Sequence, residues 1–235
     1  MSIIPILKEG LGSLDIAVSA SQLEMLETYC RRLIEYNQKV NLTAITEPEE
    51  IAKKHFLDCA ACQYLIRSGS SCADIGTGAG FPGLVLKIFR PDIKLTLLDG
   101  LNMRLVFLNE VATGLGLTDV ETVHLRAEEA GRKQNFRENF DLVTARAVAK
   151  QNLLYEYCLP LCKIGGIFCA MKGPSAEEES KEAINAGKLL GGAKPKILTE
   201  TLTGEEVRTF IITKKISQTP PKYPRVSAKI SKQPL

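Results

Sequence analysis

The chain has 235 residues, of which 45% are hydrophobic and 24% are charged, and its formal net charge is +3. This is the composition of an ordinary globular domain with a small extension, and the chain is long enough to bury an ample core. No apolar stretch is long enough to cross a bilayer, and no basic leader precedes an apolar run. These features exclude a membrane-spanning protein, so we expect a soluble, cytoplasmic protein with no membrane partner, and we expect it to be a monomer.

Seven cysteines, an odd number with irregular spacing, predict a reducing compartment and free buried thiols. His55, Cys59 and Cys62 would share one helical face, where a zinc site is the alternative to buried packing. The chain has no second Cys/His pair at ligand spacing, and its only other histidine is His124. Packing is the preferred interpretation, and we expect no metal.

Two helices are predicted in residues 1–69, which we expect to form an N-terminal helical cap. The first begins at Ser19 or Ser21 and ends near residue 38, with an apolar stripe along one side. The second begins after Thr46, with a proline and acids in its first turn, and continues to about residue 66. Within it His55 and Asp58 lie three residues apart. They could line a cleft, although a solvated helix face explains most of the charged residues around them.

From residue 70 to residue 215 strands alternate with helices, which predicts an α/β domain of the Rossmann-like kind with a seven-stranded, mostly parallel sheet. Ser175 is expected to cap the last helix, and the final two strands are expected to form an antiparallel hairpin across residues 203–205. The first predicted strand ends at residue 75, and the others cover residues 93–98, 120–124, 140–145, 167–171, 197–202 and 207–215. The predicted helices cover residues 84–89, 102–115, 151–161 and 175–190.

A glycine-rich turn follows the first predicted strand, in the run Asp74-Ile75-Gly76-Thr77-Gly78-Ala79-Gly80-Phe81-Pro82-Gly83. It leads into a helix at the carboxyl end of that strand, where open α/β sheets bind ligands. Gly78, Gly80 and Gly83 match the dinucleotide pattern G-x-G-x-x-G. An NAD-type cofactor, a phosphate group and a merely tight turn are therefore all candidate explanations.

The acids around this turn favour a different ligand. Asp74 at the strand end would repel a pyrophosphate and attract a cationic amino acid group. Asp99 ends the second strand, where an acid hydrogen-bonds ribose hydroxyls. An acid, a glycine-rich turn and a second acid together suit S-adenosylmethionine, which carries an ammonium group and a ribose but no phosphate. We therefore predict the class I S-adenosylmethionine-dependent methyltransferase fold for residues 70–215.

The ends of strands three to five provide further candidate site residues. Ala127 and Glu128 follow the third strand, where they would frame an adenine ring, or Glu128 would be only a first-turn acid of the next helix. Arg146 ends the fourth strand and suits a substrate that is anionic or offers acceptor atoms, such as a guanine edge or a phosphate; a surface ion pair is the alternative. Lys172 follows at the same edge of the sheet, so the two cations predict a polyanion site.

Residues 216–235 are predicted to be an extended basic tail without a core of its own. Residues 214–235 carry six lysines and arginines and no acid. This asymmetry favours a polyanionic partner, most often a nucleic acid. A solvated terminus that only aids solubility is the alternative.

Five motifs, taken together, resemble the bacterial RsmG (GidB) methyltransferases, from about residue 20 to the C-terminus. They are the glycine-rich turn, Asn41-Leu42-Thr43-Ala44, Lys54-His55-Phe56-Leu57-Asp58, Thr144-Ala145-Arg146-Ala147-Val148 and Pro221-Lys222-Tyr223-Pro224-Arg225. Cys59 departs from the family pattern, where a serine is expected. The first twenty residues match nothing in that pattern.

The resemblance implies transfer of a methyl group from S-adenosylmethionine to N7 of a guanine in small-subunit (16S) ribosomal RNA, either as RNA or as a 30S particle. The cofactor-binding residues expected from the resemblance and the glycine pattern are Gly76, Gly78, Phe81, Ala127, Glu128 and Arg146. The argument from the second strand adds Asp99. The substrate-positioning candidates are His55, Asp58, Arg146 and Lys172.

This chemistry agrees with the residues at the strand ends. Guanine N7 carries an in-plane lone pair and no proton, so it can attack a sulfonium methyl without a general base. We expect Arg146 and Lys172 to hold RNA or cofactor groups rather than to transfer protons. N7 is inaccessible in a deep A-form groove, so the target should be a loop or an incompletely assembled particle. A dinucleotide-dependent oxidoreductase and a non-catalytic RNA-binding factor with the same fold are the alternatives.

Overall fold

A seven-stranded sheet runs through the middle of the protein. The structure is a computed structural model that describes residues 2–201 and 207–235. The strands are β1 (Ser71–Ile75), β2 (Lys94–Asp99), β3 (Val120–His124), β4 (Phe140–Arg146), β5 (Cys162–Lys172), β6 (Lys196–Thr201) and β7 (Val207–Lys214). Their order is β3-β2-β1-β4-β5-β7-β6, and β7 runs antiparallel to both of its neighbours. The mostly parallel, seven-stranded sheet is confirmed, whereas the predicted turn at residues 203–205 lies outside the described residues.

Helices cover both faces of the sheet. They are α1 (Ile4–Ser13), α2 (Ala20–Asn37), α3 (Pro48–Ile51), α4 (Asp58–Ala60), α5 (Gly83–Phe89), α6 (Asn102–Gly114), α7 (Ala127–Ala130), α8 (Gln151–Cys158), α9 (Ala176–Glu182), α10 (Ile184–Leu189) and α11 (Ser227–Lys232). In the described part of the chain, no helix combines the length and the apolar character needed to span a bilayer.

Two hydrophobic clusters lie on opposite faces of the sheet, because successive strand residues point to opposite sides. Leu97 and Phe210 belong to the first cluster, with α1, α2, α5 and α6. The next residues along the same strands, Leu98 and Ile211, belong to the second, with α8 and α10. The central strands are thus buried on both faces, which explains their nearly continuous apolar character.

Helix α1 lies in the segment for which the sequence predicted no structure. Ile3, Leu7 and Leu11 recur every fourth residue, are buried, and join the first cluster. Helix α2 is confirmed, and Ser19 rather than Ser21 is its N-cap. The Ser19 hydroxyl accepts a hydrogen bond from the backbone amide of Gln22, and the side-chain oxygen of Gln22 accepts one from the backbone amide of Ser19.

The second predicted N-terminal helix is not a regular α-helix. A π-helical turn over Ala52–Leu57 separates α3 from α4, and a 3₁₀ turn over Gln63–Leu65 follows. The wider π turn carries His55 and leads directly into Asp58. Such turns occur frequently at functional sites.

Two later helices also differ from the prediction. Helix α8 ends at Cys158 and continues as a 3₁₀ turn, because Pro160 cannot donate the backbone hydrogen bond that an α-helix needs. The predicted helix over 175–190 is divided into α9 and α10 at Ala183. Ser175 occupies the N-cap position of α9 as predicted, but its hydroxyl donates to the side chain of Glu179 and accepts no hydrogen bond from a backbone amide of the helix.

The last twenty residues are packed against the protein, so the prediction of an extended tail is wrong. Tyr223 and Ile230 are buried, and the chain ends in helix α11. Of the six basic residues in the range 214–235, Lys215 at the end of the sheet domain and Arg225 in the last twenty residues form ion pairs with carboxylates of residues 70–215. A buried carboxylate requires such a partner, and composition alone does not reveal that the partner lies at the end of the chain.

Candidate active site

Asp74 shapes the glycine-rich turn from inside the protein. One oxygen of its buried carboxylate accepts hydrogen bonds from the Thr77 hydroxyl (2.6 Å) and the Gly83 amide (3.0 Å), and the other accepts from the Thr144 hydroxyl (3.0 Å). Burial raises the pKa of Asp74, although these donors and the charge of Arg146 act in the opposite direction. Our expectation that Asp74 meets the ammonium group of a ligand is wrong, because the turn encloses the carboxylate.

Gly83→Ala should destabilise the protein by about 1–3 kcal/mol through overpacking. An added Cβ would lie 2.5 Å from Leu97 Cδ2 and 2.9 Å from Asp74 Oδ2. The matched control is Gly12→Ala, at a helical position where nothing lies within 4 Å of the added Cβ, and it should stabilise by ~0.5–1 kcal/mol. Urea unfolding of both variants checks this. Equal free energies of unfolding for the two variants would contradict the close packing around Gly83.

The glycine-rich turn is held by two other parts of the chain. Gly76 and Gly78 have φ angles of +64° and +59°, the left-handed region that strains residues with a side chain. The Gly78 amide donates to Asp99 Oδ2 at the end of β2 (3.0 Å), and the Tyr29 hydroxyl of α2 donates to the carbonyl of Ala79. The shape of the turn therefore depends on the N-terminal helices as well as on the sheet.

A cavity of about 310 Å³ opens beside this turn, at the carboxyl ends of β1, β2 and β3. Its volume is near the lower end of the range for small-molecule sites. Four of the predicted cofactor-binding residues line it, namely Gly76, Asp99, Ala127 and Glu128. The other lining residues are Ile75, Leu98, Gly100, Leu101, Leu125, Arg126, Val148, Tyr157 and Ser227. We call it the cofactor cavity, for the ligand that the sequence predicts there.

Asp99 and Glu128 provide the carboxylates of the cofactor cavity. Asp99 accepts from the Leu101 amide through Oδ1 (2.9 Å), and from the Gly78 amide (3.0 Å) and Arg104 (3.2 Å) through Oδ2. A carboxylate oxygen has two lone pairs, so Oδ1 can accept a further bond from a ligand hydroxyl. Glu128 lines the cavity and also lies in the first turn of α7, so it occupies both positions considered for it. Its contact with an adenine ring stays a prediction.

Gly78, Phe81 and Arg146, also predicted to contact the cofactor, are not among the residues that line this cavity. Phe81 is buried, and the Arg146 guanidinium lies over its ring, with Cζ 5.0 Å from the ring centroid. Phe81 also stacks on Tyr29, with 5.6 Å between ring centroids. These contacts make the Phe81 ring a support for Arg146.

A second cavity of about 570 Å³ lies next to the first, and Val148 lines both. We call it the cationic cleft, because five cationic side chains and two carboxylates line it. All four predicted substrate-positioning residues are there, namely His55, Asp58, Arg146 and Lys172. The other lining residues are Ile45, Lys54, Ala147, Val148, Ala149, Lys150, Met171, Gly173, Glu179 and Arg208.

Asp58 pairs with two arginines that belong to different strands. Its Oδ2 accepts from Arg146 Nη1 (3.0 Å), and its Oδ1 lies 3.1 Å from Arg208 Nε. The Asp58 side chain is 3% exposed, and Arg146 also donates to the Lys54 carbonyl (3.1 Å). Arg146 therefore takes part in a buried ion pair rather than the surface pair considered as an alternative.

His55 connects Arg146 to the loop that precedes α3. Its Nδ1 lies 3.0 Å from Arg146 Nη2 and 3.0 Å from the Lys54 carbonyl, and its Nε2 lies 3.0 Å from Thr43 Oγ1. A guanidinium can only donate, so we assign Nδ1 as the acceptor and Nε2–H as the donor to Thr43. Burial and the charge of Arg146 lower the pKa of His55 to about 3. The ring is therefore neutral at physiological pH.

The buried neutral state of His55 should make the protein less stable in mild acid. The unfolded chain binds a proton at His55 near the ordinary value of 6.5, whereas the folded chain does so only near 3. From pH 7 to pH 5 this difference should lower the free energy of unfolding by about 2 kcal/mol, and the loss should continue until the folded pKa is reached. His55→Gln should lack that part of the slope, as measured by urea unfolding at each pH.

The control is His124→Gln, which removes an exposed imidazole but keeps His55, and therefore keeps its part of the slope. If His55→Gln and the unaltered protein lost the same free energy between pH 7 and pH 5, His55 would not be held neutral by the fold.

Lys172 is paired within the protein as well. Its Nζ donates to Glu179 Oε2 and to the Ala149 carbonyl, both at 2.7 Å. Burial raises the pKa of Glu179, but hydrogen bonds from Lys172 and Ser175 outweigh this effect, so the pKa lies below its ordinary value. Glu179 is thus a carboxylate that holds Lys172 at the wall of the cationic cleft.

The seven cysteines are free and buried. The Cys62 thiol donates to the Cys59 carbonyl (3.3 Å), and burial raises the pKa of Cys59 above its usual range. A thiol with a raised pKa is a poor metal ligand. Within residues 2–201 and 207–235, no group of three or more His, Cys, Asp and Glu side chains could hold a metal ion.

Several lining residues were not predicted from the sequence. Arg208 could have been found, because β7 is antiparallel and its start lies beside the end of β5, with Thr209 opposite Lys172. Neither Tyr157 nor Ser227 lies at the end of a strand, where site residues were predicted. Both reach the cofactor cavity only through the packing of α8 and α11.

Comparison with known proteins shows the family of this chain. The family model described as rRNA small subunit methyltransferase G matches residues 22–205. The ribosomal RNA small subunit methyltransferase G of Alkaliphilus metalliredigens is 48% identical over 234 residues, which cover 98% of each chain. The protein of the same name from Alkaliphilus oremlandii is 46% identical over 239 residues, which cover 100% of each. The chain belongs to this family of methyltransferases. The resemblance drawn from the five motifs is confirmed.

The fold prediction is confirmed by a solved structure. An S-adenosylmethionine-dependent O-methyltransferase from Thermotoga maritima aligns with a TM-score of 0.56 at 15% identity, over 79% of this chain and 72% of that chain. At that identity the likeness shows the fold alone. The chain therefore has the class I methyltransferase fold.

Proposed function

We propose that the protein transfers the methyl group of S-adenosylmethionine to N7 of a specific guanine in 16S ribosomal RNA. The methyltransferase activity and its cofactor follow from family membership, and the family relatives carry the name of the RNA substrate. The observation that supports the finer assignment is that the cofactor cavity and the cationic cleft are neighbours, with Val148 in the lining of both. A methyl donor in the first cavity and a base in the second would meet there.

The residues of the cofactor cavity fit S-adenosylmethionine better than a dinucleotide. Asp99 offers an acceptor to ribose hydroxyls. Asp99 and Glu128 outnumber Arg126, the one cationic residue in the described lining of this cavity, so the lining repels a pyrophosphate. Gly76 lets the Val148 side chain pack directly against the main chain of the turn, since a Cβ at residue 76 would lie 2.8 Å from Val148 Cγ2. When bound, the cofactor supplies an electrophilic methyl group. The chain supplies the hydrogen-bond acceptors and the apolar walls that orient it.

The cationic cleft suits a nucleophile that needs no proton removed. His55 is neutral, but Arg146 occupies one of its ring nitrogens and Thr43 the other. Asp58 is held between two arginines, and Glu179 accepts from Lys172. None of these three acid-base groups of the described cleft presents a ready general base. Guanine N7, with its in-plane lone pair, fits this arrangement because positioning and electrostatics suffice.

The charge of the cleft fits RNA. Five cations against two carboxylates leave a net positive wall that attracts phosphates at long range. Arg146 and Arg208 present planar guanidiniums, which also bind the acceptor edge of guanine. We propose that the protein acts as a cytoplasmic monomer on a single-stranded loop of the RNA, or on an incompletely assembled 30S particle.

Incubation with tritiated S-adenosylmethionine and small ribosomal subunits from a strain that lacks the gene tests this function. We expect label at one guanine of 16S RNA, released as N7-methylguanine by chemical cleavage. Subunits from the parent strain, already methylated, serve as the control and should take up no label. Label that resists cleavage would overturn N7 as the acceptor. Cofactor binding without label would overturn the RNA assignment, and tight NAD binding in place of S-adenosylmethionine would revive the oxidoreductase.

A further inference from the structure

The end of the chain forms one wall of the cofactor cavity. Ser227, the first residue of α11, lines the cavity together with Tyr157 of α8, next to Ala127 and Glu128. The Tyr157 phenol interacts with the hydroxyls of Ser227 and Ser231, and burial and the charge of Glu128 raise its pKa. Two hydroxyls of α11 thus lie near Tyr157, the residue of α8 that lines the cavity.

An ion pair fastens this wall to α8. The Arg225 guanidinium donates from Nε to Glu156 Oε1 (2.8 Å) and from Nη2 to Oε2 (2.6 Å), and the Arg225 amide donates to Oε1 (2.7 Å). The Glu156 side chain is 1% exposed, and Glu156 directly precedes Tyr157. A bidentate, buried contact of this kind fixes direction as well as distance. It therefore sets where Ser227, two residues further on, meets the cavity.

A second attachment joins the same segment to the residues after α7. The Arg137 Nη1 group donates to the carbonyls of Gly131 (2.9 Å) and Tyr223 (2.8 Å). Pro224 packs so closely that a Cβ on Gly131 would lie 2.9 Å from its Cγ. Gly131 directly follows α7, which begins at Ala127. The segment is thus connected to both helices that contribute to this side of the cofactor cavity.

We propose that one residue of the C-terminal segment, as we call residues 216–232, belongs to the cofactor-binding site: Ser227 contacts the adenosine end of S-adenosylmethionine, and the Arg225–Glu156 pair positions Ser227 against Glu128. This rests on the proposed cofactor. The adenosine end is assigned because Ser227 lines the same cavity as Asp99 and the residues that follow β3, and because it is absent from the described lining of the cationic cleft. Arg225 and Glu156 are positioning residues, since neither lines the cavity.

The test is calorimetric binding of S-adenosylhomocysteine to the full-length protein and to Arg225→Ala. We expect the Kd of the variant to rise by at least about tenfold. The KM for S-adenosylmethionine should rise by a similar factor, whereas kcat at saturating cofactor should stay within about twofold, because the reacting groups are elsewhere. The matched control is Lys229→Ala, which removes one positive charge from the exposed side of α11 and should leave the Kd unchanged.

Three further measurements separate positioning from a general loss of structure. Arg225→Lys should recover part of the affinity, because an ammonium keeps the charge but not the two-point contact. 5′-Methylthioadenosine, which lacks the amino acid group, should lose affinity by the same factor as S-adenosylhomocysteine. Ser227→Ala should weaken both ligands without lowering the unfolding temperature of the ligand-free protein.

The proposal would be overturned if Arg225→Ala bound S-adenosylhomocysteine as tightly as the parent protein. It would also be overturned if the variant lost affinity for S-adenosylhomocysteine but not for 5′-methylthioadenosine. The proposal would also be overturned if Arg225→Ala bound S-adenosylhomocysteine tenfold more weakly and also lost affinity for RNA in the absence of cofactor. The segment would then act on the whole fold. If the parent protein failed to bind S-adenosylhomocysteine at all, the proposed function itself would fail.

Discussion

Asp58→Asn should lower kcat by at least about 100-fold and the free energy of unfolding by about 3 kcal/mol or more. The substitution removes a negative charge that Arg146 and Arg208 share, at distances of 3.0 and 3.1 Å. Two guanidiniums would then remain in a site where the carboxylate is 3% exposed, and their repulsion would displace them from the cleft. The Kd for S-adenosylhomocysteine should stay within about twofold, because Asp58 does not line the cofactor cavity.

The matched control is Asp92→Asn, which breaks another aspartate–arginine pair on the surface. Asp92 lies 2.8 Å from Arg90, but its side chain is 35% exposed. Exposed pairs contribute less than about 1 kcal/mol, so this variant should keep both its stability and its kcat. Urea unfolding and methyl transfer, both measured where each variant is folded, decide the matter. If Asp58→Asn cost no more than Asp92→Asn, the two arginines would not depend on Asp58.

The sheet could be predicted because its information is local. A few neighbouring residues are enough to recognise each feature that was used. These features are the strand that ends at Ile75, the glycines that follow it and the acid at residue 99. The same local rules placed Arg146 and Lys172 at one edge of the sheet, and the structure brings both to the cationic cleft. A parallel sheet turns such local patterns into a common site, because every strand end reaches the same edge.

The ion-pair partners of the site residues lie far from them in the sequence, so they were not predicted. Asp58 and Arg208 are separated by 150 positions, and nothing near either residue indicates the other. Arg225 and Glu156 are likewise far apart in the sequence, and neither residue has a neighbour that indicates the other. The basic composition of the chain's end suggested solvent exposure, whereas one arginine in it neutralises a buried acid. The prediction that Asp74 meets the ligand was wrong for a related reason. An acid at a strand end can face either the ligand or the turn, and only the packing of the protein decides which.

Asp99→Ala should raise the Kd for S-adenosylhomocysteine by about 100-fold, equivalent to about 2.7 kcal/mol. The carboxylate accepts from the amides of Gly78 and Leu101, so its loss would release the glycine-rich turn as well as the acceptor for the ribose. RNA binding without cofactor should be unchanged, since Asp99 lies outside the cationic cleft. Calorimetry gives the first quantity and filter binding the second.

Asp141→Ala provides a control for the loss of a carboxylate that accepts a backbone amide. Asp141 accepts from the Ser71 amide (2.8 Å) near the start of β4, at the opposite edge of the sheet from the cofactor cavity. It should lower stability and leave the Kd unchanged. A ligand without the ribose 2′ and 3′ hydroxyls separates the two roles of Asp99: the part of the loss that persists with this ligand belongs to the turn, and the part that disappears belongs to the ribose contact. A loss equal in size for both ligands would contradict the ribose contact, and Asp99 would then act on the cofactor only through Gly78 and Leu101.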